Sequence, residues 1–294
     1  PIPQHGARLL PSVEVDSYNL EIEDGDGFLG DRANKGAFRR MLDEARALLG
    51  GDGDDPLGAK DSDDISKKKL EELLSTGEPE AAAVIQSAIE TFSRELALVI
   101  QWFLRQQSWR NTECIVFGGG FREGRIGELA IARTGMLLKE ARIDVAFELL
   151  HNDPDEAGLI GGAHLVPPWV LKGHDGLLTV DVGGTNIRAG LVELNLDKKP
   201  DLSRAGIRSM KLWRHADDDV RRDEAVERLC SLLKDLMKEA KKSKVRLAPI
   251  IGVGCPGVVR EDGAIDRGGQ NLPGNSSSSK FNLARDLRKA IPVI

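Results

Sequence analysis

Apolar positions recur along this chain with two periods, and the change from one to the other marks most of its elements. Over 80–107, Ile85, Ala88, Ile89, Phe92, Leu96, Val99 and Phe103 return every three or four residues. That spacing predicts a long amphipathic helix, with Pro79 in the first turn, where its missing N–H costs nothing. Residues 113–117 read as a buried strand running into Gly118-Gly119-Gly120, and a helix follows over 126–141 through Ile126, Leu129, Ile131 and Leu137. Strand, glycine turn and helix make an α/β unit. Another strand is expected at 145–149, and then a loop from Asp153 feeds a small-residue helix that ends at Pro167-Pro168.

The second half alternates more sharply. Strands are expected at 177–182 and 187–194, joined as a hairpin by Gly183, Gly184, Thr185 and Asn186, with a third strand near 207–213. A helix over 220–241 lines up Val226, Leu229, Cys230, Leu233, Leu236 and Met237. Asp217–Asp219 stand at its positive end and Lys241, Lys242 and Lys244 at its negative end, as the helix dipole favours. A fourth strand at 249–253 stops at Gly254-Cys255-Pro256-Gly257, and a short helix over 282–290 leads to a fifth strand beginning at Pro292. Three strands in a meander, then helix, strand, helix, strand, is the order of a ribonuclease-H-like lobe.

Residues 1–79 are the least patterned. A short helix is expected over 34–49 between two acidic, glycine-rich loops that lack EF-hand spacing and read as solvated. Lys67-Lys68-Lys69 reads as an exposed helical face rather than a binding site.

Composition narrows the function classes. The 294 residues are 40% hydrophobic and 30% charged, with 47 acids against 41 bases and net charge −6. That balance argues against broad nucleic-acid binding, which needs a positive surface to displace counterions. No apolar run approaches the roughly 20 residues that span a bilayer, and 1–11 lacks the layout of a secretory signal. Cys114, Cys230 and Cys255 are far apart without a Cys-x-x-Cys pair, so reduced, buried thiols in a cytoplasmic protein are expected. The five histidines lack metal-ligand spacing and read as surface or core residues.

Chemistry concentrates at 181–190. Paired glycines in a strand-to-strand turn let backbone N–H groups approach an anion without a Cβ in the way. Thr185 adds a hydroxyl and Asn186 an amide, while Asp181 supplies a hard oxygen suited to Mg²⁺ through water. Arg188 either lies near the phosphates or points to solvent. The β- and γ-phosphates of a nucleotide with Mg²⁺ require such a set. Two rivals fail. Gly252-x-Gly254-x-x-Gly257 matches the dinucleotide fingerprint, but the residues after it read as turn and strand rather than the helix that motif needs. Neither a Walker loop nor a Gly-x-Ser-x-Gly elbow is present.

Asp181-Val182-Gly183-Gly184-Thr185-Asn186-Ile187-Arg188-Ala189-Gly190 resembles the first phosphate motif of the hexokinase/actin/Hsp70 superfamily, and within it the ROK family of repressors and sugar kinases. Gly254-Cys255-Pro256-Gly257 and Asn271-Leu272-Pro273-Gly274 resemble that family's sugar-lining turn and loop. Val116-Phe117-Gly118-Gly119-Gly120 resembles its adenosine motif, and 155–161 the segment that normally closes its chain. The resemblance covers most of 80–294. It implies a two-lobed α/β, ribonuclease-H-like (actin-like ATPase) fold with the adenosine-side lobe first: 1–79 and 80–172 on the adenosine side, 173–294 the phosphate and sugar lobe. It further implies an ATP-dependent, glucokinase-like hexose kinase using ATP and Mg²⁺. Phosphates would lie on Gly183, Gly184, Thr185 and Asn186, adenine near Gly118, Gly119 and Gly120, and sugar at Pro256, Gly257 and Asn271. The alternative is a sugar- or nucleotide-binding regulator without catalysis. A small-molecule sugar is the expected partner, with no nucleic acid and no membrane; the oligomeric state, a homodimer among the options, is open.

Two departures accompany the resemblance. The adenosine motif precedes the phosphate motif, the reverse of the family's order, which suggests circular permutation or, with more coincidences, a fusion of two kinase pieces. The family's catalytic aspartate follows the fifth strand, and none is found here; its second phosphate loop, its sugar-binding Glu and His and its cysteine-rich zinc loop are not found either. The expectation is an incomplete stretch of a permuted kinase, with a kinase-like protein lacking a base as the alternative.

Overall fold

The computed structural model describes residues 14–16, 20, 22–25, 27–48, 55–218, 220–257, 259–260, 263–265, 268–269, 272–274 and 281–291. The chain is mixed α/β, and residues 20–151 and 152–294 form two compact units.

The first unit opens with a two-residue hairpin, β1 (Glu23–Asp24) and β2 (Gly27–Phe28), followed by α1 (Lys35–Ala47), α2 (Lys67–Thr76) and α3 (Pro79–Leu104). Asn34 and Ser66 cap α1 and α2, their side chains accepting from the amides of Ala37 and Lys69. The expected long helix is α3, and Pro79 is its first residue. Then come β3 (Cys114–Phe117), α4 (Arg125–Glu140) and β4 (Ala146–Leu149), with β3 and β4 paired in parallel. The core lies where α3 meets α1 and α4. Phe38 and Phe92 pack edge-to-face at 5.8 Å, and the buried hydroxyls of Ser93 and Thr134 donate to helical carbonyls, so small residues separate α3 from α4 at no polar cost.

Residues 55–66, largely without regular structure, are tied to α1 by two arginines. Buried Arg39 donates to the carbonyls of Ser62 (2.6 Å) and Ile65 (2.9 Å). Arg46, two turns on, reaches Asp55, Gly58, Lys60 and the Ser62 hydroxyl. Desolvation lowers the Arg39 pKa, and the nearby Asp63 and Asp43 charges oppose that.

In the second unit, α5 (Pro154–Gly161) and α6 (Pro168–Leu171) precede β5 (Gly176–Val182), β6 (Ile187–Glu193), β7 (Gly206–Trp213), α7 (Arg222–Lys242), β8 (Leu247–Gly254) and α8 (Leu283–Ala290). Among the described residues the sheet order is β7-β6-β5-β8: β5, β6 and β7 form an antiparallel meander, and β8 runs parallel to β5. The expected fifth strand lies outside the described residues.

Both faces of β5 are covered, and its alternation decides what each face holds. Leu178, Val180 and Val182 join Leu229, Leu233 and Leu236 of α7 in the main core. Leu177, Thr179 and Asp181 therefore face the other way, toward α5 and the turn after it. Glycines allow that approach: a Cβ on Gly252 would stand 2.6 Å from the Gly162 carbonyl oxygen, and one on Gly190 2.8 Å from Leu159. The glycine at 252 thus answers to packing. The described residues directly after β8, 255–257, are not helical; the next helix among the described residues is α8.

One expectation about the cysteines is corrected. Cys230 is buried and Cys255 partly so, but Cys114 is exposed, because its strand has a partner on one edge and little cover on the alternate face.

Candidate functional site

The hairpin bend begins where β5 and β6 stop pairing, at Val182 and Ile187. The Gly183 amide closes it by donating to the Asn186 carbonyl at 2.8 Å, and is thereby taken. The amides of Gly184, Thr185 and Asn186 make no hydrogen bond among the described residues. Gly184 and Thr185 are exposed, and the Asn186 Oδ1 atom is buried without a partner. Neither glycine of the bend has a positive φ, so the left-handed region does not explain them. On Gly183 a Cβ would crowd the Asn186 carbonyl at 3.1 Å.

A histidine that sequence reasoning assigned no role anchors this bend. Buried His215 places Nε2 2.8 Å from the Gly183 carbonyl oxygen; a carbonyl only accepts, so Nε2 carries the proton. The Ala216 amide adds a bond to the Thr185 carbonyl. Trp213 packs against the His215 ring, Arg228 lies over Trp213 at 4.4 Å, and Asp218 accepts from both Trp213 Nε1 and Arg228. The Trp213 hydrogen bond, the largest cause, and Arg228 hold the Asp218 carboxyl below its ordinary value. Nothing local in the sequence signals this brace, since His215 lies 32 residues from Gly183.

Asp181 is the penultimate residue of β5 beside this bend, directly across from Arg188. Burial pushes its carboxyl above the ordinary carboxylate value; Arg188 opposes that and Asp155 adds to it. Arg188 does not point to solvent: its side chain is 15% exposed, bonded to Asp155 at 2.5 Å and 3.6 Å from Asp181. Asp155 sits in the first turn of α5, capped by Asp153. The helix passes so near that a Cβ on Gly158 would stand 3.2 Å from Asp181 Cγ.

Gly184 lines an open cleft of about 310 Å³ with His215, Ala216, Asp218, Val220, Leu272, Pro273 and Gly274. The hairpin bend and the Leu272–Gly274 stretch, far apart in sequence, are therefore brought together. Asn271 lies outside the described residues. Pro256 and Gly257 follow β8, whose last residue, Gly254, pairs with Asp181. Gly257 has φ +99°, and Gly268 backs onto it so closely that a Cβ there would stand 2.7 Å from Gly257 Cα. Burial raises the neighbouring Cys255 thiol above its ordinary value, which makes it a poor nucleophile.

Gly118, Gly119 and Gly120 lie in the first unit and line a cavity of about 580 Å³. Phe38, Ile65, Leu70 and Ile126 give it apolar walls; Lys35, Arg39, Asp63, Ser66 and Lys67 supply polar groups. Gly119 adopts φ +77°, and Lys67 Nζ donates to the Gly120 carbonyl at 2.6 Å. The expectation for Lys67–Lys69 is corrected in part: all three are exposed, yet Lys67 belongs to this cavity wall.

Among the described residues no group of three or more His, Cys, Asp or Glu side chains is arranged to hold a metal ion, and no helix is long and apolar enough to cross a membrane. Comparison with known proteins finds no matching family model and no curated relative of significant similarity.

Proposed function

We propose that this chain is part of an ATP-dependent hexose kinase of the ROK type, with residues 152–294 as its ribonuclease-H-like phosphate and sugar lobe. The carrying observation is that Gly184, from a bend with three unbonded amides, shares one cleft with Leu272–Gly274. Amides free of internal partners, in a water-accessible bend, are what an anion recruits. The sheet order β7-β6-β5-β8, with α7 joining the meander to a strand parallel to β5, supports the lobe assignment.

In this reading the amides of Gly184, Thr185 and Asn186 with the Thr185 hydroxyl hold the β- and γ-phosphates. Asp181 would hold a magnesium ion through water, and such an ion would supply charge neutralisation at the phosphates. The donor set fits: Asp181 is half-buried at the mouth of the bend, and its nearest cation stands off at 3.6 Å. His215 fixes the bend through the Gly183 carbonyl. The Leu272–Gly274 stretch would position the hexose, whose hydroxyl would attack the γ-phosphorus in line as the bond to the β–γ bridging oxygen breaks and ADP leaves. Taken by itself, the cavity beside Gly118–Gly120 in the first unit has apolar walls of the kind that suit a base and ribose, which inorganic polyphosphate lacks.

The test is calorimetric titration with MgATP, followed by ATP consumption with and without hexose. Asp181→Ala should lose the magnesium-dependent part of nucleotide affinity while unfolding as the wild type does. Equal MgATP affinity in both proteins defeats the role given to Asp181. Hexose binding that leaves MgATP affinity unchanged favours the regulator over the kinase.

A further inference from the structure

We propose that Asp155 is a positioning residue for the phosphate site: by holding the Arg188 guanidinium, it keeps that cation from hydrogen-bonding the Asp181 carboxylate and leaves the carboxylate oxygens open to a divalent ion. The inference rests on the reading of Asp181 as the magnesium ligand.

The register makes Asp181 and Arg188 directly opposed cross-strand neighbours, a placement whose default outcome is a close ion pair. That pair is loose, an ion pair without a hydrogen bond. Arg188 Nη2 bonds to Asp155 at 2.5 Å, while Nη1 stands 3.6 Å from Asp181. The Arg188 Nε is buried and unpartnered among the described residues, so the guanidinium has been drawn to Asp155 at the expense of one of its own donors. At 15% exposure the side chain has little access to solvent. Of the two carboxylates recorded as its partners, Asp181 would be the one left without Asp155.

What fixes Asp155 is backbone packing. Gly158 abuts Asp181, Gly190 admits Leu159, and Gly162 meets Gly252, so α5 lies against the sheet with no room to slide. Its first turn is set by Asp153, whose side chain accepts from the Asp155 amide. A helix locked at three glycine contacts thus delivers one carboxylate to one guanidinium. An Arg188 released from Asp155 would compete with a divalent ion for the oxygens of Asp181.

Asp155 also adds negative charge to the site, and a double-mutant cycle separates that field from the effect exerted through Arg188. The probe is the non-hydrolysable imido analogue of ATP, titrated calorimetrically with Mg²⁺ and again in EDTA. Asp155→Asn should weaken the magnesium complex by about five- to tenfold, the range of a partly buried charge-assisted contact. In an Arg188→Met background the same change should cost less than about twofold, and Asp155→Glu should keep near-wild-type affinity. In EDTA neither Asp155→Asn nor Asp155→Glu should bind the analogue more weakly than the wild type. Equal losses in both backgrounds, or a loss that persists in EDTA, overturn the inference. If the wild type binds the analogue no better with Mg²⁺ than in EDTA, the reading of Asp181 fails first and this one falls with it. Should the Asn variant not fold, the Glu variant and Arg188→Met decide: the first must match the wild type, the second must bind the magnesium complex at least as tightly.

Discussion

Replacing Gly252 by alanine probes the contact that seats α5 and its following turn on the sheet. The new Cβ would stand 2.6 Å from the Gly162 carbonyl oxygen, 3.1 Å from its carbon and 3.2 Å from its Cα, against an ordinary contact that begins at 3.4 Å. All three atoms are backbone, so no rotamer change relieves the clash and the two segments must separate by several tenths of an ångström. Overpacking of this kind costs about 1–3 kcal/mol. At about 2–4 °C per kcal/mol for a domain of this size, the unfolding midpoint should fall by roughly 2–12 °C. Gly161→Ala is the internal control. Gly161 has α-helical dihedrals, φ −56° and ψ −31°, and a Cβ there meets nothing within 4 Å. It should stabilise by about 0.5–1 kcal/mol, through helix propensity and a more restricted unfolded chain. Thermal unfolding followed by circular dichroism reads both signs in one experiment. A midpoint for Gly252→Ala at or above wild type, or a Gly161→Ala variant that falls with it, would refute the packing described for α5.

Two other outcomes follow from the structure. His215→Ala should leave the Gly183 carbonyl without its buried donor, at a cost of about 1–3 kcal/mol in urea unfolding, and should weaken MgATP binding as the bend loosens; unchanged values in both would remove His215 from the brace. Glu90 accepts from Arg133 at 2.7 and 3.0 Å and from Arg94 at 2.9 Å, linking α3 to α4. The Arg133 hydrogen bonds, the largest cause, bring its carboxyl from an ordinary 4.5 down to about 2. The folded value lies below the unfolded one, so the contribution is complete above about pH 4.5 and is lost as pH falls toward 2. With the side chain about one-third exposed, screening limits the effect: Glu90→Gln should cost about 0.5–1 kcal/mol at pH 7 and almost nothing near pH 2. A pH-independent difference would contradict the linkage.

The periodic elements were legible because their signals are local. Apolar residues at helical spacing delimited α3, α4 and α7 to within a few residues, and alternation around two glycines delimited β5 and β6. Opaque were the contacts made at a distance. His215 looks like any surface histidine until β7 carries it behind the bend. Arg188 was left between two orientations because its partner, Asp155, comes from a helix that precedes the strand by more than a dozen residues. Gly252 looked like part of a fingerprint, since a glycine required by packing leaves the same letter as one required by a ligand. Lys67 read as solvated because nothing nearby in the chain announces Gly120, 53 residues on.

The two-arginine clasp on α1 bears on how the cavity beside Gly118–Gly120 would take its occupant. Asp63, Ile65 and Ser66 sit on or beside carbonyls that Arg39 and Arg46 already grip, so that wall stands before any guest arrives. Association then need not freeze a floppy segment, and affinity is not diluted by the entropy of ordering it. Lysine could not stand in for Arg39, because a point cation lacks the planar fork that spans two carbonyls three residues apart.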